Sequence, residues 1–213
     1  MTFCINIDPI EIVAIVAIGS VIIAISGLVL CTQIHPFLAK NAPIAADVLV
    51  VEGWLPDSAL QSAAVEFKQG GYQQLITIGS AIPRGLYLSE YHNFAELAAA
   101  TLIAIGVDPL QISIVADPSL TLGRTASNAV LLDRWLATSE LEIAALNLFT
   151  LSTHARRSWL LFANILAPRQ IAVGIIAAEP LNYDYHRWWH SSEGFRTVIS
   201  ELLAYLYVRI GNL

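Results

Sequence analysis

Asn147-Leu148-Phe149-Thr150-Leu151-Ser152-Thr153-His154-Ala155-Arg156-Arg157 reads as an apolar strand that enters a turn and passes straight into a helix. Ser152 or Thr153 is placed to cap that helix, and His154, Arg156 and Arg157 fall in its first turn. Cations are unfavourable there, since the positive end of the helix dipole opposes each by roughly 0.3–1 kcal/mol. Something anionic must compensate, either a carboxylate of the protein or a bound ligand. The stretch marks a site without naming its reaction.

The same alternation of strand and helix extends outward from it. Asp47–Glu52 is a run of Val and Leu bounded by Gly53, with the length and β-branching of a buried strand. Ser58–Gly70 reads as a helix with Asp57 or Ser58 as its N-cap and Gly70-Gly71 as its stop. Gln74–Gly79 is a second strand, Ser89–Ile105 an alanine-rich helix stopped by Gly106, Ile112–Ala116 a third strand and Arg124–Ala137 a helix. Beyond Ala145–Leu151 (strand) and Ala155–Leu166 (helix) come a fifth strand, Ile171–Ala177, and a last helix, Ser192–Ile210. On that helix Phe195, Val198, Ile199, Leu202, Leu203, Leu206 and Ile210 share one face, the spacing of a core-facing element. Strands too apolar for a one-sided sheet predict an α/β fold, a five-stranded parallel sheet covered on both faces. Ligands of such folds sit at the carboxyl ends of the strands, which nominates Glu52-Gly53-Trp54, Gly79-Ser80, Asp117 and Ser152-Thr153-His154.

The chain of 213 residues is 56% hydrophobic, with a mean hydropathy of +0.62, too apolar for an ordinary soluble domain. The excess is concentrated in Ile10–Cys31, where Glu11 is the one acid. As a helix this run spans roughly 33 Å, enough to cross a bilayer. A signal peptide would have a shorter apolar region, and a leucine just before Cys31 fits a lipoprotein cleavage site poorly; a buried core helix is the plainer alternative. The expected organisation is a tail over 1–9, a transmembrane anchor over 10–31, a linker over 32–45 holding Pro36 and Pro43, and an α/β domain over 46–213. Lys40 alone follows the span closely, so loop charge leans only slightly toward a cytoplasmic domain. A net charge of -6 offers no basic face to neutralise phosphates, which argues against nucleic acid as a partner. Both cysteines, Cys4 and Cys31, lie in or beside the apolar run, leaving the domain without a disulfide or thiolate site.

A second cation stands at a helix start in Thr121-Leu122-Gly123-Arg124-Thr125-Ala126-Ser127-Asn128. Two such starts, each after a strand, could converge on one anion, since helix amides and guanidinium groups together make a phosphate cradle. Arg84 could add a further cation; the competing reading is that Glu52, Asp57, Glu90 or Asp117 neutralises the arginines internally. His154 could act as general acid or base, or simply close its turn with a hydrogen bond. No nucleophile elbow supports a hydrolase triad. No Gly-x-Gly-x-x-Gly marks a nicotinamide or flavin site. His35, His92, His154, His186 and His190 lack metal-site spacing, so no metal is expected. Tyr183–His190 is dense in aromatics and reads as a membrane-interface patch, a lid, or a loop whose tryptophans pack on the sheet.

Asp47–Trp54, Gly79-Ser80, Arg124-Thr125 with Asn128-Ala129, and Ser152–Arg157 together resemble the ElyC/SanA/YdcF family, over about Ala45 to Ile175. The likeness is strongest to a branch with Glu-Gly-Trp after the first strand and Arg-Trp-Trp near the end, matched here by Arg187-Trp188-Trp189. It implies a Rossmann-like three-layer domain, often anchored in the inner membrane and placed outside it. In some members it also implies a part in envelope barrier function and peptidoglycan biogenesis, with a phosphate-bearing or nucleotide-like ligand and no settled activity. Glu52, Gly53, Gly79, Arg124, Thr125, Asn128, His154 and Arg157 match the family's polar positions; Ser80, Ser152, Thr153 and Arg156 complete the expected ligand site, with His154 catalytic. Relatives often carry a glycine cluster where this chain has Glu52-Gly53-Trp54-Leu55, and two glycines where it has Gly79-Ser80. The expected protein is therefore a membrane-anchored binder of an anionic small molecule or envelope precursor. The alternatives are a non-catalytic scaffold and, last, an S-adenosylmethionine-binding protein; turnover and cofactor stay open.

Overall fold

The computed structural model describes residues 8–82, 90–117 and 124–211. Five strands, β1 (Val48–Glu52), β2 (Gln74–Ser80), β3 (Ile112–Asp117), β4 (Ala145–Leu151) and β5 (Ala172–Ala178), pair in parallel in the order β3-β2-β1-β4-β5. Six α-helices accompany them among the described residues: α1 (Pro9–Leu38), α2 (Asp57–Gln69), α3 (Phe94–Ala104), α4 (Arg124–Thr138), α5 (Ala155–Leu166) and α6 (Ser192–Ile210). Alternation along the strands divides the core between two faces. Val48, Val50, Ile76, Ile78, Leu146 and Leu148 pack with α4 and α5 through Leu132, Phe162 and Leu166. Leu49, Val51 and Leu75 pack with α2 and α3 through Leu60, Phe67 and Leu102. This is the three-layer Rossmann-like α/β sandwich expected from the sequence.

Strand order fixes where a ligand can enter. From β1 the chain winds outward through β2 to β3, then returns to the other side of β1 for β4 and β5. The carboxyl ends of β1 and β4 therefore flank the point where winding reverses, and the diverging connections leave a crevice there. The register pairs Val51 with Phe149, which sets Glu52 beside Thr150 on the face covered by α4 and α5.

Four expectations change. The α3 helix begins at Phe94 rather than Ser89, because Asn93 caps it by accepting from the Glu96 amide at 2.8 Å; Ser89 and Arg84 lie outside the described residues. No side chain caps α2, whose N-cap is Pro56, and neither Ser152 nor Thr153 caps α5. Residues 32–38, expected as linker, continue α1 despite Pro36, since His35 and Leu38 gain burial against the domain; tertiary packing outweighs the local cost of a proline near the helix end. Finally, the apolar face of α6 is only partly covered. Val198 is buried and Ile199 and Leu202 pack around it, but Phe195, Leu203, Leu206 and Ile210 are exposed.

α1 is long and apolar enough to cross a membrane, and none of its most apolar window is buried. Its last turns are anchored differently. Ile34 and Leu38 pack with Trp188, Trp189, Val198 and Leu202, so the two tryptophans cover the end of α1 and the flank of α6 rather than the sheet.

Candidate functional site at the β1/β4 crevice

A cavity of about 760 Å³ opens over the crevice, lined by the ends of β1 and β4, the starts of α4 and α5, and one side of α6. Glu52 closes its floor and is fully buried. The Thr150 hydroxyl donates a hydrogen bond to Glu52 Oε2, and the Ser158 hydroxyl lies 3.4 Å from both carboxylate oxygens. His154 Nε2 stands above it, 3.8 Å from Oε2, too long for a hydrogen bond but close enough for charges to interact.

The imidazole is held from its other side by an acid contributed by α6. His154 Nδ1 is 2.9 Å from Glu201 Oε1, and the same carboxylate accepts Arg157 Nε at 3.0 Å and Nη2 at 3.1 Å. Arg157 Nη1 donates to Thr125 Oγ1 at 3.2 Å, and that hydroxyl lies 3.3 Å from His154 Nε2. With Nδ1–H donating to Glu201 and Thr125 accepting from Arg157, the Thr125–Nε2 contact is satisfied either by a neutral imidazole that accepts there or by an imidazolium that donates. The Arg157 Nη2 contact to Nδ1, at 3.0 Å, is then a close approach without a shared proton. Trp54 meets the imidazole edge-on, with ring centroids 4.9 Å apart.

Burial by itself would raise the Glu201 pKa. The His154 hydrogen bond and charge and the Arg157 guanidinium outweigh it and pull the carboxyl down from 4.5 to about 2. Glu201 is thus the anion that Arg157, at the start of α5, requires. Sequence reasoning missed it, although Glu201 follows Val198 by three positions and so shares the inward side of α6.

The structure brings together Glu52, Thr125, Asn128, Ser152, Thr153, His154 and Arg157 around the cavity. Asn128 is buried, and its Oδ1 has no hydrogen-bond partner among the described residues, an acceptor left over at the wall of the site. Other predicted residues lie elsewhere. Arg156 turns toward the end of α1, where its guanidinium sits 4.0 Å over the Phe37 ring and its Nε donates to the Phe37 carbonyl. Gly53 and Gly79 face the first turn of α3, whose backbone a Cβ at either position would strike. Ser80 is buried at the end of β2, paired in register with Asp117. The Arg124 side chain lies outside the described residues.

Ser152 has a backbone φ of 44°, a left-handed conformation costly for a side chain with a Cβ. Its hydroxyl is 3.1 Å from His35 Nε2 and 3.3 Å from the Tyr183 hydroxyl, which is itself 3.2 Å from His35. This triangle joins the end of α1 to the turn that carries His154. A neighbouring cavity of about 440 Å³ shares Ser152 and Pro180 with the first and is bounded by His35, Tyr185 and His186.

No protein-family model and no curated protein matches the chain. Among solved structures it is similar to glucose-6-phosphate 1-dehydrogenase from Mycobacterium avium, at 12% identity and a TM-score of 0.32, over 78% of this chain and 34% of that one. The chain spans about a third of that protein's length, and likeness at this level carries no conclusion about ligand or reaction.

Proposed function

We propose that the protein is a membrane-anchored member of the ElyC/SanA/YdcF family that binds a phosphate-bearing or nucleotide-like ligand and serves cell-envelope, peptidoglycan or barrier, biogenesis. In this reading α1 spans the inner membrane and the domain faces the periplasm. Support for the anchor is physical: an apolar helix with no buried window has hydrocarbon as its natural solvent.

One observation carries the ligand reading. The starts of α4 and α5 meet at a single cavity where the strand order reverses. Helix-start amides lack intrahelical partners and favour anions, and Arg157 stands between the two starts. His154, with Nδ1 held by Glu201, would present Nε2 to a ligand proton.

Native mass spectrometry of the full chain in detergent, beside Arg157→Ala and His154→Ala, tests this. An anionic co-purifying mass lost from Arg157→Ala is the expected result. A wild-type spectrum with no such mass, or a mass indifferent to Arg157, overturns the reading.

A second reading, a binding module without turnover, is favoured by the internal partners of the arginines: Glu201 for Arg157 and Phe37 for Arg156. Product formed from a nucleotide or lipid-linked precursor, above a His154→Ala control, would remove it. The S-adenosylmethionine reading draws no support, since Gly53 packs against α3 instead of opening toward the cavity.

A further inference from the structure

We infer that Trp189, Tyr185, Arg187 and Phe195 seat the domain directly on the lipid surface, at headgroup depth beside the exit of α1. The inference rests on the anchoring of α1 proposed above and adds where the domain then sits.

The apolar run of α1 ends at Cys31, followed by Thr32 and Gln33. The Trp188 indole N–H donates to the Cys31 carbonyl at 2.9 Å. A residue bonded to that carbonyl shares its depth, so a span that places Ile10–Cys31 in hydrocarbon places Trp188 at the boundary. Trp189 and Phe195 follow it there, their ring centroids 5.7 and 6.2 Å from that of Trp188. Phe195 stacks on Trp188 with its outer side bare, 51% exposed, at the start of α6. Tyr185 and Trp189 are half-buried, and Arg187 beside them is exposed. Tryptophan and tyrosine favour the membrane–water interface, and arginine can rest its stem on apolar surface while its head reaches phosphate.

The connection also has no slack. Between Cys31 and Leu38 the helix is fixed by Trp188, by His35 against Ser152 and Tyr183, by Phe37 against Tyr205 and by the buried Leu38 side chain. A domain gripped within two turns of the hydrocarbon edge cannot stand away from the headgroups.

Collision accessibility of a spin label tests the depth in full-length protein reconstituted into phosphatidylcholine–phosphatidylglycerol vesicles. With both cysteines replaced by serine, a nitroxide is attached at Phe195→Cys or, independently, at Arg187→Cys. Ile22→Cys reports the span, and Val65→Cys, exposed on α2, reports water. The expected result is a deep Ile22 label, a freely hydrated Val65 label, and Phe195 and Arg187 labels that oxygen reaches readily and a polar nickel complex reaches several-fold less than at Val65. Phe195 and Arg187 labels as open to nickel as Val65, beside a deep Ile22 label, would overturn the seating and leave the anchor standing. Labels shielded from both agents would mean a protein contact, such as a second copy of the chain, and would also overturn it. An Ile22 label in water would remove the anchor and the seating together.

Discussion

His154 Nδ1 and Glu201 Oε1 lie 2.9 Å apart across 47 residues of sequence, and this contact ties the residue that leads into α5 to the middle of α6. The acid has a structural and an electrostatic consequence. It offsets Arg157, a cation that the α5 dipole disfavours, and it fixes which ring nitrogen of His154 faces the cavity.

The first prediction concerns acid. The Glu201 pKa of about 2 in the folded chain lies below its ordinary 4.5, so its stabilisation is complete above pH 4.5 and is lost as the pH falls toward 2. A depression of this size corresponds to about 3 kcal/mol. Urea unfolding of the wild type and Glu201→Gln should show a gap of that order at neutral pH that closes across this window. A gap that stays constant down to pH 2 would contradict the assignment.

Glu52 should behave differently, because its carboxylate answers two buried hydroxyls, Thr150 and Ser158. Glu52→Leu strands both donors at about 1–3 kcal/mol for a well-made bond and less for the long Ser158 contact. Glu52→Gln keeps an acceptor and should cost clearly less. Equal losses in the two variants, measured by thermal unfolding, would show that the hydroxyls find other partners.

Gly53 and Gly79 are predicted to act through the fold rather than through a ligand. A Cβ on Gly53 would lie 2.9 Å from the Ala95 amide nitrogen, and one on Gly79 2.7 Å from the same atom. Backbone cannot yield as a side-chain tip can, so either alanine variant should cost about 1–3 kcal/mol by displacing α3. For a domain of this size that lowers Tm by about 2–4 °C per kcal/mol. Unchanged melting would return both glycines to the list of ligand contacts.

The two neighbouring arginines should separate cleanly. Arg157→Ala should abolish ligand retention, since it removes the side chain bridging Glu201 and Thr125. Arg156→Ala should leave retention intact and loosen the end of α1 by about 0.5–1 kcal/mol of lost cation–π contact. Limited proteolysis of residues 39–45 would report that loosening as faster cleavage.

Much of this was legible because local pattern and fold agree. β4, α5 and α6 take the bounds their periodicity predicts. His154, Arg157, Thr125 and Asn128 meet where strand order places a crevice. What was not legible depends on long-range packing. Glu201 sits in a helix read for its apolar stripe, and nothing local says that its carboxylate will reach α5. Arg156 looked equivalent to Arg157, yet one residue of helix turns it roughly 100° away, onto Phe37. The helical course of residues 32–38 was hidden by Pro36, because the burial that overrides it comes from Trp188 and Val198, more than 140 positions later. The cap at Asn93 was available in principle, since Asn93 with Glu96 three residues on is a helix-start signature.

The unbroken helix from Pro9 to Leu38 makes the domain and its apolar stem one lever, with no swivel between them. Through His35 the stem touches Ser152, whose backbone is left-handed. Inserting one alanine between Thr32 and Gln33 would turn everything upstream by about 100° relative to the crevice while lengthening the stem by only about 1.5 Å. Stem and crevice therefore share a fixed azimuth. If the stem spans a bilayer as proposed, whatever approaches along the plane of that bilayer meets the mouth of the cavity from a direction set by helical phase.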